Sequence, residues 1–572
     1  MRDVEFFLAS PLEKVFPNAR PAPLKTEMYA WRGTHAAVQL VYYAPEGRDG
    51  SLVQTFALSV EGAPVPVELY AVELLPSDFP CWENAVTDAN YLTHEPGLFP
   101  DLLRPLEDKR IRPVPRQYRS VWLSFDIPAD AAPGVYEVTV TAVPDRELLM
   151  GSGAVWKDPE AGPQECRMAF RLHVGMAELA AQTLIHTEWF YADCLASYYH
   201  VPVFSEEHWH ILDCFMEEAA RRHGVNMLLT PVFTPPLDTA VGTCRPTVQL
   251  VGITVENGAY SFDFTALRRW VGLCRKHGIA YLEMPHLFTQ WGARATPNIV
   301  AEENGKRRHI FGWDVPADSP AYRAFLEALL PALRSELEAQ GYGREHVYFH
   351  ISDEPSEEHL ESYLAAKHQV EDLLEGCPVV DALSSFEFYR RGLVAHPIPA
   401  DDHIQPFIDA QVPDLWTYYC CAQGVDVPNR FYAMPSARNR ILGVLLYLYD
   451  IRGFLHWGYN FYYRQYSRGL IDPYAVTHCD FGYPSGDPYL VYPGPDGRPL
   501  TSIRAEVQSD ALTDLRALQT LERAAGREAV CGLIYRLAGM EKITFKQYPR
   551  DNSFLLALRK AVFEELEQAG RR

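Results

Sequence analysis

Up to about residue 175 the chain alternates apolar and polar positions in short runs, as in THAAVQLVYYAP and SLVQTFALSV, with Gly and Pro turns between them. A period of two puts alternate side chains on one face, as in half-buried strands. The clearest case is SVWLSFDIPADAAPGVYEVTVTA (120–142), two strands joined by a Pro- and Gly-rich turn. A β-sandwich is the economical reading. NYLTHEPGLFPDLLRP (90–105) reads as a long structured loop that packs against the next domain.

From about residue 180 the pattern changes to apolar runs alternating with helical segments, which predicts parallel β/α units. The runs are TLIHTEWF, VNMLLTPVF, IAYLEMPHLF, HVYFHIS, VVDALSS, PDLWTYYC, GFLHWGY and YLVYPG, eight in all. Helices are predicted at 206–224, stopped by Gly224, and at 321–341. Eight such strands favour a (β/α)8 TIM barrel over an open sheet, and no Gly-rich phosphate fingerprint opens a helix. A hairpin turning at Asn257-Gly258 is expected to sit over the barrel mouth. The expected organisation is a sandwich over 1–177, a barrel over 178–527 and a C-terminal helical tail over 528–572, packed on the barrel.

Composition narrows the function. A net charge of −22 disfavours a surface for nucleic acid or anionic lipid, either of which needs a basic stripe. No window approaches a membrane span, and MRDVEFFLAS lacks the features of a signal peptide, so the chain reads as cytoplasmic. Eleven cysteines without C-x-x-C pairs indicate neither a disulfide framework nor a zinc site. No metal and no cofactor are expected, and a homo-oligomer is compatible with the sequence.

The strongest chemical signal is HVYFHISDEPSEEHL, an apolar strand running into Asp353, Glu354 and Pro355 and then a helix. In a barrel this junction lies at the C-terminal face, where active sites sit. Adjacent acids reach one pocket only if the strand ends there, and Pro355 helps end it. The alternative is a surface Asp-Glu pair that opens a helix, where acids are favoured by the positive end.

RGFLHWGYNF crowds His456, Trp457, Tyr459 and Asn460 at another strand end, supplying apolar platforms and hydrogen-bonding groups of the kind sugars need. MPHLFTQWG with HIFGWD contributes His286, Trp291 and Trp313 as a substrate wall, and Glu188, Tyr418 and Tyr492 also fall near predicted strand ends. No G-x-S-x-G elbow marks a serine hydrolase.

Taken together, HISDEP, HLFTQWG, FGWD, GFLHWGYNF and GDPYLVYPGPDGRPLTSIRAE resemble the family of unknown function numbered 4091, which is related to glycoside hydrolase family 123. The resemblance implies a retaining β-N-acetylgalactosaminidase with a substrate-assisted mechanism. By that resemblance Glu354 is the general acid and then base, and Asp353 orients the substrate's 2-acetamido group, whose oxygen attacks the anomeric carbon. Trp457, Trp313 and Trp291 would be sugar platforms, with Tyr418, His456, Tyr459 and Asn460 as hydrogen-bonding groups. A glycosidase for β-GlcNAc or a non-acetamido sugar, and a non-catalytic carbohydrate-binding barrel, stay open as rivals.

Overall fold

The computed structural model describes residues 4–24, 27–45, 52–82, 88–145, 147–150, 155–157 and 165–570. In the N-terminal region the strands Glu5–Ala9, Thr34–Tyr43, Tyr118–Ile127, Val67–Ser77 and Gly97–Pro105 pair in that order as an antiparallel sheet. A second five-stranded sheet runs Glu27–Arg32, Cys166–Glu178, Gly134–Pro144, Phe56–Glu61 and Arg110–Ile111. Alternation supplies their common core, with Val38, Leu40, Val121 and Phe125 from one sheet meeting Val138, Val140, Phe170 and Leu172 from the other. The two strands predicted within 120–142 form, but the turn at 128–133 carries the chain from one sheet to the other. Much of the expected loop at 90–105 is the strand Gly97–Pro105, held by Leu103 N–H donating to the Thr501 carbonyl.

The β/α unit that follows uses eight short strands: β1 (Ile185–Glu188), β2 (Met227–Leu229), β3 (Tyr281–Glu283), β4 (Val347–Tyr348), β5 (Val380–Ala382), β6 (His396–Ile398), β7 (Trp416–Tyr418) and β8 (Gly453–His456). Six of them form a parallel sheet in the order β4-β3-β2-β1-β8-β7, and β5 and β6 form a separate parallel pair. Of the (β/α)8 barrel expected from the sequence, the continuous sheet thus makes a half-barrel, with β5 and β6 paired apart from it. Single bridges, Phe349 to Val379 and Ala400 to Tyr418, stand between the sheet and the pair. Pro378, Pro397 and Pro399 withhold the N–H groups that longer ladders would need there.

The strand list is corrected at one place as well. β6 comes from AHPIPA, which has no apolar run, whereas the predicted eighth strand YLVYPG contributes only Tyr492–Pro493, paired antiparallel with Pro499–Leu500. Its apolar character comes from a buried loop, since Tyr489, Leu490, Val491 and Tyr492 are at most 1% exposed.

The predicted hairpin forms as Gly252–Glu256 and Ala259–Asp263, with Asn257 and Gly258 both at positive φ. It joins a second hairpin, Ile299–Glu303 with Lys306–Phe311, in a four-stranded sheet. Helix Glu206–Glu217, capped by Ser205, passes through a π turn to Arg222 before Gly224 ends it in a left-handed conformation. At the C-terminus, helix Ile503–Ala525 and helix Asn552–Ala569 are joined by Arg559, which binds Asp510 and Asp514. The latter helix also reaches the N-terminal sheets, where the Met176 N–H donates to Glu567.

Candidate active site

The chain leaves β4 through His350, Ile351 and Ser352, and the N–H groups of Ile351 and Ser352 donate to Asp381 Oδ1 at 2.9 and 3.3 Å. Asp381 stands on β5, so the strand pair fixes this exit. The next carbonyl, that of Asp353, accepts the Trp291 N–H at 3.2 Å, and the Glu354 N–H donates to the Ala382 carbonyl at 3.1 Å. Glu354 itself has φ +43°, in the left-handed region that costs a non-glycine residue about 1–2 kcal/mol. That turn breaks the strand alternation, and both Asp353 and Glu354 line one cavity of about 240 Å³.

Trp189, Tyr191, Trp291, Trp457, Tyr466 and Tyr483 supply aromatic walls. Tyr418 on β7 donates its hydroxyl to Glu354 Oε1 at 2.6 Å. Burial pushes the Glu354 carboxyl above the usual range, with the Asp487 charge adding to it and the Tyr418 hydroxyl opposing it. Asp353 is driven well up by burial and then by the neighbouring Glu354 charge. The pair thus retains a proton at pH values where free carboxyls have lost theirs.

A polar layer lies beneath. Glu283 on β3 accepts from Trp189 Nε1 at 2.8 Å, from His350 Nε2 at 2.7 Å and from the Thr187 hydroxyl at 2.5 Å. His350 Nδ1 stands 3.7 Å from Asp381. Burial alone would lower the His350 pKa, but the Asp381 and Glu283 carboxylates outweigh it and push it up to about 9. A cation is thereby held below Asp353. His286 stacks on His350 with ring centroids 4.3 Å apart, and burial together with the His350 charge keeps it neutral.

Of the residues singled out from the sequence, Asp353, Glu354, Trp291, Tyr418 and Trp457 meet at the cavity. The others are placed elsewhere. Glu188 is fully buried in a bidentate pair with Arg430, at 2.7 and 2.8 Å, which holds its carboxyl far below the usual range against the cost of burial. His456 lies buried with Nδ1 accepting from the Gly458 N–H, and Tyr459 reaches His223 instead of the cavity. Asn460 bonds both the N–H and the carbonyl of Tyr191, so it positions a wall residue from behind. Tyr492 is buried against Asp101 and Tyr432, and Trp313 donates to the Thr243 carbonyl at 2.9 Å, outside the cavity.

Several lining residues carried no sequence signal, above all Asp238. This third carboxylate lies in a loop after β2, accepts from the Tyr483 hydroxyl at 2.6 Å and the Tyr466 N–H at 3.1 Å, and is raised by burial to about 6. Its main-chain carbonyl also accepts from Ser467, so it ties the two rim loops together. Cys420, Cys421 and Gln465 complete this flank. Among the described residues no three His, Cys, Asp or Glu side chains converge as a metal site requires.

In overall structure the chain is similar to a family 123 glycoside hydrolase from Clostridium perfringens described in a study of glycolipid glycan hydrolysis. The TM-score is 0.71 and the identity 15%, over 99% of this chain and 98% of that one, a likeness of fold. The N-terminal domain of PorA and the macrocyclisation enzyme AvmM of alchivemycin A biosynthesis align with 28% and 31% of this chain at TM-scores of 0.14, too low to indicate a common fold. No curated protein matches the sequence. The family model for the glycoside hydrolase 123 catalytic domain matches residues 189–521, well over half of the 572 residues and the whole stretch that builds the cavity, and the chain belongs to that glycoside hydrolase family.

Proposed function

We propose that this chain is a retaining exo-β-N-acetylgalactosaminidase-like hydrolase in which Glu354 is the general acid and base and Asp353 orients the substrate's 2-acetamido group. The observation that carries the reading is the left-handed turn at Glu354, which brings two adjacent carboxyls, both raised by burial, into one cavity. A carboxyl raised by burial holds its proton more firmly than a free one and can donate it to the departing glycosidic oxygen. The acetamido oxygen then attacks the anomeric carbon and displaces the leaving group as it takes the proton. Deprotonated Glu354 next activates a water that opens the cyclic intermediate.

A cavity of about 240 Å³ suits a single terminal sugar, which fits exo action. Trp457, fixed by its Nε1 donating to Asp487 at 2.8 Å, and Trp291 flank that volume as platforms. The two single bridges that link β5 and β6 to their neighbours support reading the catalytic unit as a (β/α)8 barrel, preceded by a β-sandwich.

Asp238 favours a second reading, in which the sugar lacks an acetamido group and this carboxylate acts on the anomeric carbon with Glu354 as acid. Both Asp238 oxygens are already engaged as acceptors, which supports the first reading. The test is hydrolysis of chromogenic β-GalNAc, β-GlcNAc and β-galactoside by the wild type, Asp353→Asn and Asp238→Asn. The first reading predicts acetamido substrates alone and the larger kcat loss in Asp353→Asn. Turnover of the galactoside with Asp238→Asn inactive would reverse the assignment.

A further inference from the structure

A second group of aromatic rings lies outside the cavity. Trp82 and Phe481 are 38% and 60% exposed, and Phe79 joins them, edge-on to Trp82 at 4.9 Å and 6.1 Å from Phe481 between ring centroids. Isolated exposed apolar side chains are ordinary, but rings in mutual contact make a patch. Trp82 comes from the N-terminal region, yet its Nε1 donates to the Cys421 carbonyl at 2.8 Å, and Cys421 lines the cavity. The N–H is thus engaged while part of the ring stays open to solvent.

The same short segment holds the acid, because Tyr418 donates to Glu354 and Cys421 anchors Trp82. A proton donor stands on the leaving-group side of the bond it cleaves. Glu354 and Cys421 line the same cavity and Cys421 carries Trp82, so a ring that leaves past the acid on this flank would meet Trp82. Asp78 and Asp480, next in sequence to Phe79 and Phe481, have side chains 69% and 52% exposed; Asp480 pairs with Arg464 at 3.3 Å, and Asp78, 3.8 Å from the His478 ring, is the acid whose charge disfavours an anionic ring there.

We propose that Phe79, Trp82 and Phe481 form a leaving-group subsite that stacks an uncharged second sugar ring, so the N-terminal region takes part in choosing the substrate. This rests on Glu354 being the proton donor of a glycosidase. In a Glu354→Gln background, calorimetry with N-acetylgalactosamine and with the disaccharide β-GalNAc-(1→3)-galactose reads the ratio of the two affinities without turnover. Trp82→Ala and, independently, Phe481→Ala are expected to lower the disaccharide preference about three- to tenfold, as loss of a stacking partner does, while Trp82→Phe keeps most of it. An unchanged ratio in both alanine variants overturns the subsite. Failure to bind either probe contradicts the reading of the cavity itself, and the subsite with it.

Discussion

At the residue scale the account turns on Glu354 and what surrounds it. Tyr418→Phe removes a hydrogen bond to a carboxylate, a contact worth about 1.5–3 kcal/mol, and kcat/KM is expected to fall roughly ten- to hundredfold. Because that bond favours the ionised acid, its loss raises the Glu354 pKa, and the basic limb of the pH–rate profile moves to higher pH. A limb that moves down would contradict the assignment. His350 makes a prediction about stability. Its folded pKa of about 9 lies above the ordinary value near 6.5, so its contribution is fully present below about pH 6.5 and lost as pH rises through 9. The Tm deficit of His350→Gln is accordingly expected to be larger at pH 6 than at pH 10.

The same scale shows what could be read in advance. Asp353 and Glu354 were legible because an apolar strand runs directly into acids and a proline. Glu188, His456 and Tyr459 were legible as strand-end residues but not by depth: they turn into the polar layer, whereas Trp189 and Trp457 beside them face the cavity. Asp238, Tyr466 and Tyr483 were not legible. They come from loops without periodicity, and only the folded contact among those loops brings them to the site.

At the scale of elements the catalytic strands are short and their neighbours close. An added Cβ at Gly453 on β8 would lie 1.9 Å from the Trp416 ring on β7, so Gly453→Ala is expected to destabilise by about 1–3 kcal/mol or more. Gly272, inside helix Thr265–His277 with nothing within 4 Å, is the opposite case, and Gly272→Ala should stabilise by roughly 0.5–1 kcal/mol. Thermal melts of the two variants, shifted in opposite directions, check both. Long amphipathic helices and β2, whose three residues are all fully buried, carried clear patterns. β6 did not, because a histidine and a proline leave Ile398 as its one aliphatic residue in a strand of three, held on both sides by neighbouring strands.

At the scale of the molecule, charge pairs and apolar packing run through all three parts of the chain. Arg504 forms a bidentate pair with Asp101, Arg438 binds Asp88 at 2.6 Å, and one core joins Trp31 and Trp122 of the N-terminal sheets to Leu515 and Phe563 of the C-terminal helices. Removing one member of such a buried pair costs about 3–5 kcal/mol, which Arg504→Met should show as a lower Tm. With this shared core the chain should unfold in a single calorimetric transition, and two resolved peaks would contradict that. The sequence pattern separated an all-β region from a β/α region, but not how far their cores merge, which depends on contacts such as Asp101 with Arg504 across some 400 residues of chain.

The most direct test of Glu354 as proton donor is the dependence of kcat/KM on leaving-group basicity across a series of aryl β-N-acetylgalactosaminides, for wild type and Glu354→Gln. The account predicts a shallow slope for the wild type and a steep one for the variant, with losses of about 10²–10⁴ for basic leaving groups shrinking towards parity for acidic ones. Parallel slopes, or a Glu354→Gln variant as fast as the wild type on the most basic leaving group, would contradict it.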